Sequence, residues 1–350
     1  MSSAVKTEGY VVAVLGATGL VGQTMISVLE ERNFPVRTLV PLASTSGGRT
    51  LRFRGADIPV QQVQPDSFAG VDIAIFSAGG AASLTYAPEA AARGCVVVDN
   101  SSAWRMDPAV PLVVSQVNPD ALSNHNGIIA NPNCSTMQLA PLLKALSDAA
   151  GLERVVVATY QAVSGAGAKA VADLDQQRVT VVNGGNATST IYPHAVVSSP
   201  IPAIDVFLPD GSTKEETKVV NESRKILDLP KLRISATAVR VPVERSHSEA
   251  VHVELSRALS PNQARAAFAS VQGVTVVDDP ANHSYPLAAA AAGSDEIYVG
   301  RIRTDASVEH GLAFWVVSDN VRKGAATNAV EIAELLISMN LVHGANHDAQ

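Results

Sequence analysis

A glycine-rich turn near the start of the chain connects an apolar strand to an amphipathic helix. Residues 10–15 (YVVAVL) form a near-continuous apolar run, which is typical of a strand buried on both faces of a parallel sheet. Gly16, Gly19 and Gly22 follow at regular spacing, and apolar residues then recur at helical spacing over 21–29. A strand, a glycine turn and a helix in this order open a βαβ unit, so the segment predicts a fold built on parallel strands.

The same alternation continues through the first third of the chain. Apolar runs at 36–43, 71–79, 95–99 and 127–130 predict further strands, and the alanine-rich segment 81–93 predicts a helix between two of them. Alternating strands and helices predict an α/β domain with an open, mostly parallel, doubly wound sheet of the Rossmann type.

Beyond residue 153 the predicted strands become longer and alternate apolar with polar residues. Segments 154–163, 232–243 and 249–256 have this character. Such alternation indicates strands with one covered face, so we predict a second domain of the α+β type with a mixed, largely antiparallel sheet.

The last apolar pattern, at 322–341, has helical spacing, and we expect this helix to pack back onto the first domain. The 350 residues are enough for two domains. The sequence therefore predicts a dinucleotide-binding domain formed by residues 1–133 plus 321–350, and a catalytic and dimerisation domain formed by residues 134–320.

The composition excludes several functional classes. The formal net charge of −7 is spread without blocks of one sign, whereas nucleic-acid binders need a basic face. No apolar stretch reaches the roughly 18 residues of a membrane span, and the N-terminus lacks the pattern of a secretion signal. Two cysteines, Cys95 and Cys134, are too few for a disulfide framework. We therefore expect a cytoplasmic protein that acts on a small molecule, with no nucleic-acid partner, no membrane partner and no metal site.

The glycine turn also predicts a bound dinucleotide. Backbone N–H groups of such a turn, at a helix N-terminus, can approach a pyrophosphate closely because no Cβ intervenes. NAD-binding sheets usually carry an acid after the second strand, but residues 41–49 (PLASTSGGR) offer hydroxyl groups and an arginine instead. This favours the 2′-phosphate of NADP, held by Thr45, Ser46 and Arg49, although each of these side chains could simply belong to a polar loop.

Cys134 and His247 are the candidate catalytic residues. Cys134 lies in 131–136 (NPNCST), between a predicted strand and a predicted helix, where the helix dipole would favour a thiolate nucleophile. His247 lies in a predicted loop between two strands, seven residues after Arg240, and is the candidate base. Taken singly, Cys134 could be structural and His247 inert. Cys95 opens an apolar strand and is interpreted as a small buried hydrophobic residue.

Several short segments carry a family resemblance. They are GATGLVG (16–22), FSAGG (76–80), DNSSAWRMD (99–107), ANPNCST (130–136), TYQAVSGAG (159–167), EETK with NESRKIL (215–227), RVPV with HSEAV (240–251) and DNVRKGAATN (319–328). In this order, over most of its length, the chain resembles the bacterial aspartate-semialdehyde dehydrogenase family.

The resemblance implies roles for the candidate catalytic residues. Cys134 would be the nucleophile that forms an acyl thioester, and His247 would be the acid/base. Gln161 would orient the intermediates, and Asn133 would assist beside the thiol. Without the resemblance, Gln161 could be an ordinary buried strand residue.

The resemblance also implies a substrate site and a cofactor site. Arg240 would bind the substrate carboxylate and Glu215 its ammonium group, while Arg105 and Lys218 would hold the phosphoryl group or inorganic phosphate, with Gln161 contacting the substrate as well. Glu215 and Lys218 could alternatively be a solvated ion pair, and Arg105 could anchor a loop. The residues expected to bind NADP are Gly16, Thr18, Gly19, Leu20, Val21, Thr45, Ser46, Ser77, Ala78, Gly79, Ser164, Gly165 and Asn320.

Three features depart from the family pattern. The segment after the second strand contains Arg49 but lacks the arginine of the Ala-Arg-Ser-x-Gly pattern that the family often has, so the NADP contact is less defined. Ser246 precedes the histidine where a glycine is usual, and Ser199 stands where an asparagine is common.

The implied reaction is the NADPH-dependent reductive dephosphorylation of L-aspartyl 4-phosphate to L-aspartate 4-semialdehyde, a step in lysine, threonine, methionine and diaminopimelate biosynthesis. The resemblance also implies a homodimer, or a tetramer built from dimers, with the second sheet at the interface. One alternative is an N-acetyl-γ-glutamyl-phosphate reductase, which shares the thiol chemistry but whose acetylated substrate offers Glu215 no ammonium group. The other is a non-catalytic NADP-binding sensor.

Overall fold

Strands and helices alternate along the chain in this computed structural model, which describes residues 9–45 and 48–342. The strands are β1 (Tyr10–Leu15), β2 (Val36–Ala43), β3 (Thr50–Phe53), β4 (Ala56–Pro59), β5 (Gln61–Gln62), β6 (Ile73–Phe76), β7 (Val96–Asp99), β8 (Ile128–Ala130), β9 (Leu152–Gln161), β10 (Arg233–Arg240), β11 (His247–Leu255), β12 (Val274–Val276), β13 (Ile297–Asp305) and β14 (Gly311–Ser318). The α-helices are α1 (Leu20–Glu31), α2 (Gly80–Ala92), α3 (Cys134–Ala150), α4 (Ala168–Val182), α5 (Lys214–Ile226), α6 (Pro261–Ala269), α7 (Ala288–Ala291) and α8 (Asn328–Ser338).

The chain divides into two compact units. The first contains the described residues up to Pro132 and those from Ala325 onward, and the second contains Asn133–Gly324. Whether the predicted boundaries separate two domains that fold independently stays a prediction. Residues 1–8 and 343–350 of the predicted dinucleotide-binding domain lie outside the described residues.

The first unit is built on a six-stranded sheet in the order β5-β2-β1-β6-β7-β8, and every pairing in it is parallel. Alternate residues of β1 belong to different apolar clusters. Val12 and Val14 pack with residues of α1 and α8. Ala13 and Leu15 pack with residues of α2. Because β1 is covered on both faces, it can be apolar throughout, and the predicted doubly wound sheet is confirmed.

The second unit is built on a six-stranded sheet in the order β10-β9-β11-β14-β13-β12. The three inner pairings are antiparallel, and the two outer pairings, β10 with β9 and β12 with β13, are parallel. Along β11, Val251 and Val253 are buried whereas Ala250 and His252 are half-buried. The sheet thus has one covered face, and the predicted mixed, largely antiparallel sheet is confirmed.

None of the helices within the described ranges combines the length and the apolar character that a bilayer crossing demands.

Candidate active site

Cys134 is the first residue of α3 and is partly exposed. Asn133 caps this helix, since its side-chain oxygen accepts the backbone N–H groups of Ser135 at 3.0 Å and Thr136 at 3.4 Å. Gly324 packs against the thiol residue so closely that a Cβ there would lie 3.0 Å from the Cys134 Cβ. The thiol therefore occupies the positive end of a well-capped helix, where a thiolate is favoured.

Two buried carboxylates of α5 hold the capping residue. The side-chain amide of Asn133 donates to Oε1 of Glu215 at 2.9 Å, and its backbone N–H donates to Oε2 of Glu222 at 2.6 Å. Glu215 and Glu222 are seven residues apart and hence lie on one face of the helix. Glu222 was not among the residues predicted from the sequence, although its seven-residue spacing from Glu215 was a signal that could have placed it on the same helix face.

Gln161, the last residue of β9, extends the same network. Its amide nitrogen lies 3.0 Å from Ser135 Oγ, 3.2 Å from Glu215 Oε1 and 3.3 Å from Thr159 Oγ1. Gln161 and Asn133 thus share one oxygen of Glu215. The structure brings together three predicted site residues beside the thiol helix.

Glu215 and Lys218 form an ion pair, with Lys218 Nζ 3.0 Å from Glu215 Oε2 and 2.9 Å from Asp205 Oδ2. Burial acts to raise the pKa of Glu215, but the Lys218 ammonium and the Asn133 and Gln161 amides outweigh it, and the pKa is lowered. Burial acts to lower the pKa of Lys218, but the two carboxylates outweigh it and the pKa is raised. The pair therefore differs from a solvated surface pair, because Glu215 is buried and ionised within the site.

His247 is the first residue of β11 and not a loop residue as the sequence analysis expected, because its backbone pairs with Ser318 at the end of β14. The imidazole is completely buried. Its Nδ1 accepts the backbone N–H of Ala162 at 3.0 Å. Burial, with a smaller contribution from the Arg240 guanidinium, holds the pKa of His247 well below its ordinary value.

Arg240, at the end of β10, is linked to His247 through one residue. Its Nη1 donates to the carbonyl oxygen of Ala162 at 2.6 Å, so Ala162 binds both side chains. Gly165 covers the pair, since a Cβ there would lie 3.1 Å from Arg240 Nη1 and 3.4 Å from His247 Nε2. The guanidinium also lies 5.6 Å from the ring centre of Tyr192.

Two predicted cofactor residues of the second unit lie beside the histidine strand. Asn320 Oδ1 is 3.1 Å from the Ser164 hydroxyl, and it accepts the backbone N–H of Ser246 at 2.9 Å. Ser246 has a φ of +76°, in the region that favours glycine. This conformation explains why a glycine is usual at this position in the family. Ser199, the other departure in this unit, is exposed, and nothing in the structure explains it.

The glycine turn of the first unit fits a dinucleotide phosphate. Gly16 has a φ of +89°, and a Cβ there would lie 2.4 Å from the Ser77 carbonyl oxygen. Gly19 and Gly79 precede α1 and α2 without a side-chain cap, and nothing lies within 4 Å of a Cβ built on Gly79. Two uncapped helix N-termini therefore begin at the carboxyl ends of the adjacent strands β1 and β6.

The other predicted residues of the first unit have simpler surroundings. Thr18, Leu20, Val21 and Ser77 are half-buried around this turn, and Ala78 and Thr45 are exposed. Ser46, predicted beside Thr45, lies outside the described residues. Arg105 is buried, and its guanidinium donates to the carbonyl oxygens of Asn131 at 2.9 Å and Asn100 at 2.6 Å.

Two protein-family profiles match the chain. Residues 11–125 match the family described as "Semialdehyde dehydrogenase, NAD binding domain", and residues 143–323 match "Semialdehyde dehydrogenase, dimerisation domain".

Individual relatives match along nearly the whole length. The aspartate-semialdehyde dehydrogenase of Aquifex aeolicus is 52% identical over 339 residues, which cover 95% of this chain and 100% of that protein. The Bacillus subtilis aspartate-semialdehyde dehydrogenase is 47% identical over 344 residues, covering 96% of this chain and 99% of that protein. Among solved structures, aspartate semialdehyde dehydrogenase II of Vibrio cholerae complexed with ASA matches with a TM-score of 0.92 at 45% identity, covering 95% of this chain and 99% of that one.

Proposed function

The chain belongs to the aspartate-semialdehyde dehydrogenase family, and from this membership we propose that it converts L-aspartyl 4-phosphate to L-aspartate 4-semialdehyde with NADPH. The observation that carries the proposal is the arrangement around Cys134. A partly exposed thiol begins a helix whose cap, Asn133, is bound to Glu215, and Gln161 binds the same carboxylate.

We propose that the charged residues of the site bind the two ends of the substrate. The Arg240 guanidinium is buried and its Nε makes no hydrogen bond within the described ranges, so it can bind the α-carboxylate. The ionised Glu215 carboxylate suits the substrate ammonium. Lys218, whose pKa is raised, keeps the positive charge that a phosphoryl group requires, and Arg105 is proposed for the same group.

The proposed chemistry begins at the thiol. The Cys134 thiolate attacks the acyl carbon, a C–S bond forms, and phosphate leaves with a proton from solvent. When bound, NADPH supplies the hydride that reduces the thioester carbon. The C–S bond then breaks, which releases the semialdehyde and regenerates the thiolate. Asn133 and Gln161 hold the reacting group beside the sulfur throughout.

The residues proposed to hold NADP include those of the two uncapped helix starts. Backbone N–H groups of the Gly16–Val21 turn would bind the pyrophosphate, with Ser77, Ala78 and Gly79 at the neighbouring strand end. Thr45 and Ser46 are proposed for the 2′-phosphate, and Ser164, Gly165 and Asn320 for the nicotinamide end.

We also propose that the protein forms a homodimer, or a tetramer built from dimers, through the open face of the second sheet. Tyr160 and Trp315 lie on this face with ring centres 5.4 Å apart, beside a cavity of about 400 Å³ lined partly by Tyr285 and Leu287. Light scattering tests this: an Ala250→Arg variant, altered on the same face, should become monomeric. A cytoplasmic location, and a place in lysine, threonine, methionine and diaminopimelate biosynthesis, are proposed from family membership.

The activity is tested in the reverse direction, by following phosphate-dependent reduction of NADP by L-aspartate 4-semialdehyde. N-acetylglutamate semialdehyde in a parallel assay should be a poor substrate, and a preference for it would overturn the proposal. NADP binding without turnover of either aldehyde would indicate a sensor. Arg240→Lys should raise KM for the semialdehyde because the bidentate contact is lost, whereas Arg233→Lys, at the other end of β10, should leave it unchanged.

A further inference from the structure

The ring of Tyr192 lies against the guanidinium of Arg240, the group proposed to bind the substrate α-carboxylate. The distance from Arg240 Cζ to the centre of the ring is 5.6 Å. The face of an aromatic ring attracts a cation, and the attraction is stronger where water is excluded. Arg240 is buried and Tyr192 is half-buried, so this contact is largely shielded from solvent. The ring stabilises the buried cation without neutralising it, which leaves the positive charge available to a carboxylate.

The aromatic ring of Tyr192, and not its hydroxyl group, makes this contact. The hydroxyl lies 3.5 Å from the carbonyl oxygen of Val163, which is the long limit of a hydrogen bond. The side chain packs on a small apolar cluster in the second unit, whose buried members are Val163, Ala170, Leu174, Val196 and Ile201. One part of the side chain is therefore held by apolar packing while the ring contacts the guanidinium.

Asp173, on α4, fixes the backbone that carries Tyr192. Its Oδ1 accepts the backbone N–H and the hydroxyl of Thr190, each at 2.9 Å, and its Oδ2 accepts the hydroxyl of Ser189 at 2.6 Å. Ser189 Oγ in turn accepts the backbone N–H of Tyr192 at 2.8 Å. Burial acts to raise the pKa of Asp173, but the hydrogen bonds from Ser189 and Thr190 outweigh it and the pKa is lowered. The ionised carboxylate thus anchors the segment that precedes the ring.

The same segment is anchored again after Tyr192. The backbones of Ile201 and Arg240 exchange two hydrogen bonds of 2.8 Å, and the side-chain oxygen of Gln177 accepts the backbone N–H of Val197 at 3.1 Å. Residues 189–201 are therefore fixed at both ends, by α4 and by Arg240 itself. This arrangement determines where the Tyr192 ring meets the guanidinium.

We propose that Tyr192 is a positioning residue that holds the Arg240 guanidinium for the substrate carboxylate, and that Asp173 acts through Tyr192. The inference rests on the proposed function. Nη1 of Arg240 is bound to the carbonyl oxygen of Ala162 at 2.6 Å, and the ring restrains the rest of the guanidinium. A long side chain that is already ordered loses less conformational entropy when it binds a ligand. The contact therefore increases affinity for the aldehyde substrate and has no part in the binding of phosphate or NADP.

Substitutions of Tyr192 test this division between substrates. Tyr192→Leu should raise KM for L-aspartate 4-semialdehyde by about three- to thirtyfold, while kcat and the KM values for phosphate and NADP stay within about twofold of the wild type. Tyr192→Phe, which keeps the ring, should restore most of the affinity. The control is Ile191→Ala, which shortens an exposed neighbouring side chain. An unchanged KM for the semialdehyde in Tyr192→Leu, or an equal rise in all three KM values, would overturn the proposal.

A second set of variants tests the role of Asp173. Asp173→Ala should raise KM for the semialdehyde as Tyr192→Leu does, and the double variant should be no weaker than Tyr192→Leu alone, because both changes release the same ring. Asp175→Ala, which removes an exposed carboxylate of α4 paired with Arg178, is the matched control. Additive losses in the double variant would show that Asp173 does not act through Tyr192.

Urea unfolding tests the contact without any substrate. Tyr192→Leu should lower the unfolding midpoint more in the wild-type background than in an Arg240→Gln background, because only the first comparison loses the cation–ring contact. Equal decreases would overturn the inference. If the wild type failed to reduce NADP with the semialdehyde, the proposed function would fall, while the unfolding comparison would still decide whether the ring holds Arg240.

Discussion

Replacing Glu249 with glutamine is expected to stabilise the folded protein near neutral pH, by an amount that grows with pH. The side chain is completely buried on β11, and neither carboxyl oxygen makes a hydrogen bond within the described ranges. Its register neighbours, Thr159 on β9 and Val316 on β14, offer no positive charge. Burial raises the pKa of Glu249 from 4.5 to about 8, with the Gln138 amide opposing the shift.

The sign of the effect follows from the two protonation states. Below pH 4.5 Glu249 is protonated in both the folded and the unfolded chain, so it does not lower the free energy of unfolding. As pH rises toward about 8, the unfolded chain releases this proton while the folded chain keeps it. The free energy of unfolding therefore falls by up to about 1.36 kcal/mol per pH unit. The loss reaches roughly 3 kcal/mol at pH 7 and levels off above the folded pKa of Glu249. Glutamine does not titrate, so the variant escapes this loss.

The assay is urea unfolding of the wild type and Glu249→Gln from about pH 5 to about pH 7.5, at one protein concentration because the stability of an oligomer depends on it. The difference in free energy of unfolding should rise by roughly 1 kcal/mol per pH unit in favour of the variant. The slope is independent of any constant packing change that the amide introduces. Glu254→Gln, on the same strand but half-buried and ion-paired to Arg154, is the matched control for the loss of a carboxylate from β11. A difference for Glu249→Gln that does not change with pH would show that burial does not raise the pKa of this carboxyl group.

Three further substitutions test individual contacts. Gly165→Ala should raise KM and lower kcat, each by roughly tenfold, because the new methyl group would lie 3.1 Å from Arg240 Nη1. The backbone at Gly165 does not have a positive φ, so the substitution adds no backbone strain. Unchanged steady-state kinetics would contradict this prediction. Ser246→Gly should stabilise the fold by about 1 kcal/mol in denaturant unfolding, because it relieves a positive φ and removes a buried, unbonded hydroxyl; a loss of stability would argue against it. Glu222→Leu should lower kcat by about tenfold to a hundredfold through a displaced Asn133, while Glu222→Gln, which keeps an acceptor, should retain most activity; equal rates in the two variants would exclude a positioning role.

The parts of the fold that the sequence predicts are those determined by local patterns. The run at 10–15 and the glycine turn after it identify β1 and α1, because a strand buried on both faces leaves a clear apolar signal. The hairpin of β3 and β4 was not predicted. Its strands are short and largely exposed, so no apolar alternation marks them.

The parts of the site that the sequence does not predict depend on tertiary packing. Glu222 holds Asn133 because α5 lies against the start of α3. Its spacing from Glu215 predicts a shared helix face, but the sequence does not show what that face contacts. The environment of His247 is similar, because the Ala162 N–H that binds Nδ1 of its imidazole comes from a different strand end. Residue types can therefore indicate the candidate acid/base, but only the fold determines which of its nitrogens is able to act.

The proposal that Cys134 carries the acyl group is tested most directly by a phosphate-free reaction of the protein with L-aspartate 4-semialdehyde and NADP. If Cys134 forms the thioester, the reaction should give a burst of about one NADPH per active site, an aspartyl group detected by mass spectrometry on the Cys134 peptide, and renewed turnover on addition of phosphate. Cys134→Ser should show neither the burst nor the modified peptide. A burst without modification of Cys134, or phosphate-dependent activity that survives in Cys134→Ala, would show that another group carries the acyl intermediate.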